Sequence, residues 1–136
     1  MEIEHMHKDD FKRSDATVRF NRNGKIIINR CAVDRLDLFD EKTSTWGCVS
    51  MGRDTSRPAD FVISNNSEGW PVRRGEAGGA VFNNAALAVL VIDKTWAHSG
   101  HAVGECKPRS YCFNLARLPV DEDKNKFTYA LLRKKI

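Results

Sequence analysis

Two stretches of the chain, 54 positions apart, are written to one template, and few folds accommodate such a repetition. Gly24-Lys25-Ile26-Ile27-Ile28-Asn29 runs into Arg30-Cys31-Ala32-Val33-Asp34-Arg35-Leu36. Gly78-Gly79-Ala80-Val81-Phe82-Asn83 runs into Asn84-Ala85-Ala86-Leu87-Ala88-Val89-Leu90. Gly24 falls on Gly78, Asn29 on Asn83, Ala32 on Ala86 and Leu36 on Leu90. Each copy reads as a glycine turn, a short apolar strand, an asparagine that caps a helix, and then helical spacing of apolar residues. The template predicts an α+β domain of mainly antiparallel strands with two short helices. Its two quasi-repeated β-β-α halves, about 17–74 and 75–136, share one core.

The local pattern sharpens this plan. Thr17-Val18-Arg19-Phe20-Asn21 alternates apolar and polar residues, and Arg22-Asn23-Gly24 suits a three-residue hairpin loop with glycine in the left-handed region. That register pairs Phe20 with Ile26 and Val18 with Ile28 on one face. It leaves Arg19, Asn21, Lys25 and Asn29 on the other, with Ile27. A helix opens at Asn29 or Arg30 and runs to about Leu38. Residues 40–57 read as a loop or weak strand anchored by Trp46, Val49 and Met51. Phe61-Val62-Ile63 and Trp70-Pro71-Val72-Arg73 flank a strong turn signal at 64–69, and Pro71, lacking an amide donor, places its strand at an edge. Residues 85–94 favour helix over a buried strand, and 97–108 form a loop. A last hairpin takes 111–115 and 127–131. Residues 1–16 are expected to be a loose arm before a single domain at 17–136.

At 136 residues the chain is long enough to bury a core without staples, and its longest apolar run, Ala85 to Ile92, is too short to cross a membrane. The N-terminal stretch has no apolar segment of the signal-peptide kind, and Cys31, Cys48, Cys106 and Cys112 form no CxxC pair. Reduced thiols and a cytoplasmic address follow as expectations. The formal charge of +4 is unevenly placed: residues 1–68 carry −1 and residues 69–136 carry +5. Within the first half, Arg19, Arg22, Lys25, Arg30 and Arg35 face one acid, Asp34, in the same stretch. Such clustering suits a polyanionic partner.

Two strings invite catalytic readings and fail on chemistry. Gly75-Glu76-Ala77-Gly78-Gly79-Ala80-Val81-Phe82 resembles the nucleophile segment of chymotrypsin-like serine proteases, but Ala77 stands where the serine would attack. His98, His101, Cys106 and Cys112 fall within 15 residues, at a spacing that matches no common zinc finger or ribbon. They read as an exposed loop and a strand rather than a metal site or a Cys/His nucleophile pair. No phosphate-binding glycine loop, HExxH or EF-hand occurs, so no enzyme, cofactor or metal is expected.

What remains is the upper face of the first hairpin and its neighbours. Arg19, Lys25 and Arg73 are expected to meet phosphates, with Arg22 and Arg30 flanking, Asn21 and Asn29 nearby, and Trp70 and Tyr129 as stacking surfaces. The segment Val18-Arg19-Phe20, Gly24 to Asn29, Ala32-Val33, Leu36 and Leu38 resembles the start of the single-stranded-DNA-binding transcriptional coactivator fold and its Whirly relatives. More weakly it resembles the AbrB-type swapped-hairpin family. The first resemblance implies curved antiparallel sheets whose basic and aromatic strand faces carry nucleic acid. The expected function is non-catalytic binding of nucleic acid, DNA and preferably single-stranded, with low sequence specificity, by a homodimer. The competing expectation is a small homo-oligomeric interaction protein, of phage or mobile-element origin, that binds no nucleic acid.

Overall fold

A computed structural model describes residues 3, 15–54, 56–57, 60–100, 104–118 and 129–133. In chain order the strands are β1 (Thr17–Asn21), β2 (Lys25–Ile28), β3 (Phe39–Asp40), β4 (Thr45–Trp46), β5 (Cys48–Arg53), β6 (Phe61–Asn65), β7 (Trp70–Pro71), β8 (Arg73–Arg74), β9 (Ala80–Asn83), β10 (Ser110–Arg117) and β11 (Tyr129–Arg133). Helix α1 (Arg30–Leu36) follows β2 and helix α2 (Ala85–Ala97) follows β9. The class is α+β with antiparallel strands, as the template predicted. No helix among the described residues is long and apolar enough to cross a membrane.

Nine strands form one sheet in the order β7-β5-β6-β11-β10-β1-β2-β9-β8, while β3 and β4 form a small separate ladder. The two ends of this order are consecutive in the chain, separated only by Val72. One stretch, Trp70 to Arg74, therefore pairs with β5 through its first half and with β9 through its second. The sheet is nearly closed, and the Pro71 segment stands at the end of the strand order, as its missing amide donor implied. Trp70 crosses the seam inside, its ring stacked on Phe82 of β9 at 5.9 Å between centroids. The segments on either side of the 64–69 turn do not pair with each other; Trp70 instead meets Val49.

The first hairpin takes the register its alternation demanded, with Phe20 opposite Ile26 and Val18 opposite Ile28. All four are fully buried, and Gly24 closes the turn at φ +98°. Residues 48–53 correct the expectation of a loop or weak strand: β5 is six residues long and central to its half of the sheet. Its alternation was hidden by the small residues Ser50 and Gly52, which lie opposite Ser64 and Val62. Burial of Val49 between β6 and β7 supplies what intrinsic strand preference does not.

Both helices are capped by asparagine. The Asn29 side chain accepts from the Ala32 amide, and Asn84 accepts from Leu87. The template had set Asn29 on Asn83; the cap is one residue later, because Asn83 remains in the ladder opposite Lys25. Helix α1 stops at Asp37, a left-handed cap whose amide donates to the Asp34 and Val33 carbonyls. The ambiguity at 85–94 resolves as helix, extending to Ala97. Ala32, Val33 and Leu36 of α1 join Ala88, Val91 and Ile92 of α2 in the core that the inward residues of the sheet complete. Ala16, in the expected loose arm, is only 2% exposed and its carbonyl accepts from Leu115; residues 1, 2 and 4–14 lie outside the described residues.

Candidate nucleic-acid interface

The strands sort their charges by sign. None of the nine strands of the large sheet contains Asp or Glu, while together they carry Arg19, Lys25, Arg53, Arg73, Arg74, Arg117 and Arg133. The described carboxylates sit on helices, turns and the small β3–β4 ladder. Acidic side chains are poor strand residues, and a sheet buried on one face leaves them only the other. A count of charge along the chain hides this segregation, because each half mixes strands with acidic turns. The signal was nevertheless in the sequence, as acid-free alternating segments.

Pairing then decides which cations share a face. Directly opposed residues in an antiparallel ladder point the same way. Arg19 lies opposite Cys112 on one side and Ile27 on the other; Ile27 lies opposite Val81, and Val81 opposite Arg73. Cys112, Arg19, Ile27, Val81 and Arg73 thus form one row across five strands, on the face turned away from the core. Arg19 and Arg73 stand three strand spacings apart, about 14 Å. A parallel row holds Lys25 opposite Asn83, with Asn21 opposite Ser110. Lys25 is two residues from Ile27 and so shares its face. Arg19, Lys25 and Arg73 are exposed, and no ion pair holds them among the described residues.

The flanking candidates fall elsewhere. Arg22, at the β1–β2 turn, is tied to Asp93 of α2 at 3.2 Å, and the same carboxylate oxygen takes Lys107 at 2.9 Å. The hydrogen bond from Lys107, reinforced by that from Arg22, holds the Asp93 carboxyl below its usual value. Arg22 is therefore engaged in joining the hairpin to α2. Arg30 opens α1 at the opposite end of the hairpin, with its Cδ 3.1 Å from where a side chain on Gly78 would begin. Asn29, expected on the polar face, serves the fold: it also accepts from the Thr17 amide and donates to the Asp15 carbonyl.

Trp70 and Tyr129 do not share the basic face. Trp70 is half-buried, opposite Val49 and against Phe82. Tyr129 lies opposite Ile63, and its hydroxyl donates to the Arg35 carbonyl at 3.2 Å. Strand alternation is the reason: Trp70 and Arg73 are three residues apart, so one points inward when the other points outward. Two further half-buried aromatics, Phe39 and Trp46, meet across the β3–β4 ladder with ring centroids 4.7 Å apart. Sequence reasoning treated Trp46 as an anchor only.

The two catalytic strings resolve as local structure. Glu76, Ala77 and Gly78 make a tight turn in which Ala77 takes φ 54°, and the Gly75 amide donates to the Gly79 carbonyl to close it. Among the described residues no three of His, Cys, Asp and Glu converge as metal ligands. His98 ends α2 with its ring nitrogen 3.0 Å from the Lys94 carbonyl, Cys106 is exposed, and Cys112 lies in β10 opposite Arg19. His101 lies outside the described residues. Comparison with protein-family models, with curated proteins and with solved structures returns no match to this chain.

Proposed function

We propose that this protein is a non-catalytic nucleic-acid-binding module that takes DNA, single strands before duplex, with little sequence specificity. One observation carries the reading: the large sheet is free of carboxylates and sets Arg19, Lys25 and Arg73 on one solvent face with no partners among the described residues. Such a surface attracts phosphates without reading bases, because cations position the backbone and base edges supply specificity. Asn21 and Asn83 add amide donors beside Lys25.

The resemblance to the coactivator and Whirly fold belongs to the same proposal, and the strand order supports its two-half plan. Exchange β1 with the β7–β8 segment, β2 with β9, β10 with β5, and β11 with β6, and every neighbour relation in the sheet is preserved. Gly24 packs against Ala85, the first residue of α2, while Gly78 packs against Arg30, the first residue of α1; both glycines have positive φ. The halves run from 17 to 65 and from 70 to 133, which moves the Trp70–Arg74 segment into the second one. We place the protein in the cytoplasm, a reading that its four free cysteines support. We also take it to be a homodimer. Two basic faces repel each other, so copies would meet through neutral surface such as Leu90 of α2, 39% exposed beside Ala86.

Fluorescence anisotropy of labelled 20-mers, single-stranded and duplex, across a salt series tests the function. Affinity should fall steeply with salt, and Arg19→Ala, Lys25→Ala and Arg73→Ala should each flatten the logarithmic slope for single strands by about 0.7. Absence of binding at low salt would overturn the reading.

A further inference from the structure

An open cleft lies beside α1, away from the outer rows, and has a volume of about 1070 Å³. Helix α1 forms one wall, the β3–β4 ladder a second, and the turn from β8 toward β9 the third. Its two ends differ chemically. Arg30 lies against Gly78 at the N-terminal end of α1 and Asp37 caps its C-terminal end, while Asp34, Asp40, Glu41, Lys42, Arg74 and Trp46 also line the cleft. Although cations and carboxylates share the cleft, none of them forms an ion pair there among the described residues. Arg30 and Asp34 are one helical turn apart and still do not bridge. A cation opens α1 and a carboxylate caps its C-terminus, against the backbone dipole, while Arg35 in the last turn agrees with it. A ligand that presents an anion to Arg30 and hydrogen-bond donors to Asp37 suits this arrangement.

We propose that the cleft receives one unstacked nucleotide of a single strand whose flanking phosphates lie on the Arg73 side of the sheet. The inference rests on the nucleic-acid reading above and assigns that reading its substrate class. Arg73 and Arg74 are successive strand residues and so point to opposite faces of β8, which pairs only with β9 among the described residues. A single strand rounding the other side of β8 meets Arg73 in the outer row and Arg74 in the cleft. A phosphate between Arg30 and Arg74 leaves its base beside Trp46, a half-buried ring that packs on the core and meets Phe39. Base–aromatic stacking is the usual means of holding a single strand. The carboxylates of Asp37 and Glu41 then meet the base edge. Carboxylates accept from exocyclic amino groups, as they do from cytosine N4, and have nothing to accept from the carbonyl-rich far edge of thymine. The occupant is therefore an amino-bearing base, cytosine or adenine before thymine. Duplex DNA keeps such bases stacked and paired, so it binds on the outer face without entering the cleft.

Anisotropy with labelled (dC)10, (dA)10, (dT)10 and a mixed duplex, with free deoxycytidine monophosphate as a competitor, tests the assignment. The intact protein should bind (dC)10 and (dA)10 about 10-fold more tightly than (dT)10, the scale of one good base contact. Trp46→Ala should weaken (dC)10 by about 5- to 150-fold, the range of one stacked base, while Trp46→Phe restores most of the loss and duplex affinity does not change. Glu41→Gln, a change at an exposed side chain, should narrow the preference over (dT)10 if Trp46→Ala fails to fold. Competition by the mononucleotide would show that the cleft alone recognises the ligand; its absence would show that the flanking phosphates on Arg73 are required. Equal affinity for all three strands, or equal loss of single-strand and duplex binding in Trp46→Ala, would overturn the inference and leave salt-dependent binding standing. Absence of binding to every oligonucleotide would overturn the nucleic-acid reading and this inference with it.

Discussion

The two helix ends of this protein handle charge in opposite ways. Beside α2, a single carboxylate, Asp93, gathers Arg22 and Lys107 and so ties the first hairpin and the segment before β10 to the helix. Beside α1, three cations and four carboxylates line one cleft, and among the described residues no ion pair forms between them. Both helices follow a strand and an asparagine cap, and the first residue of each lies near a glycine, Arg30 near Gly78 and Ala85 near Gly24. The difference lies in the β3–β4 ladder that follows α1 and in the side chains at each helix. One end is closed as structure, and the other keeps its polar groups available to a ligand.

The largest effect should come from the shared core rather than from either end. Phe82 is 3% exposed, opposite Ile26 and stacked on Trp70 at the seam. Phe82→Ala should destabilise the fold by about 3–5 kcal/mol in urea unfolding. A loss below 1 kcal/mol would mean that the seam does not hold the sheet closed.

The caps come next and separate the two units directly. Asn29 makes three hydrogen bonds, to the Ala32 and Thr17 amides and the Asp15 carbonyl, whereas Asn84 caps Leu87 alone. Asn29→Ala should lower stability by about 2 kcal/mol and Asn84→Ala by about 1 kcal/mol, the upper and middle of the range for caps. Equal losses would remove the distinction between a cap that also joins strands and one that only starts a helix.

The smallest effect concerns pH. Because Lys107 and Arg22 hold the Asp93 carboxyl below its usual value, its contribution is complete above the unfolded-state carboxylate range. It disappears as the pH falls through the lower value of the folded protein. Thermal unfolding from pH 6 to pH 2 should show a shallower acid decline for Asp93→Asn than for the parent chain. Superimposable acid limbs in the Asp93→Asn variant and the parent would contradict the contrast between the two ends.

Local features were the ones legible in the residues. The β1–β2 register, both helices and the final β10–β11 hairpin follow from alternation, glycine and asparagine, which act within a few positions of themselves. The β5 strand was missed because Ser50 and Gly52 break its apolar alternation; its pairing with β6 comes from partners further along the chain. The site divides in the same manner. Arg19 and Lys25 share a face through one hairpin and could be placed from the pattern. Arg73 joins them only through β9, and Trp70 parts from them because alternation along its segment turns its ring inward onto Phe82. The cleft beside Trp46 was not legible, since its walls come from three segments that no local rule brings together.

By itself the sequence determined the antiparallel α+β character, the two asparagine-capped helices and a first hairpin with a basic outer side. Each depends on periodicity and on backbone preferences that neighbouring residues set. Tertiary structure alone decided that the Trp70–Arg74 segment serves both ends of the sheet, that Arg22 is tied to α2, and that Arg30 and Arg74 line one cleft with four carboxylates. Those outcomes depend on which distant strands fill each other's hydrogen bonds and bury each other's apolar sides, a choice made by the whole chain at once.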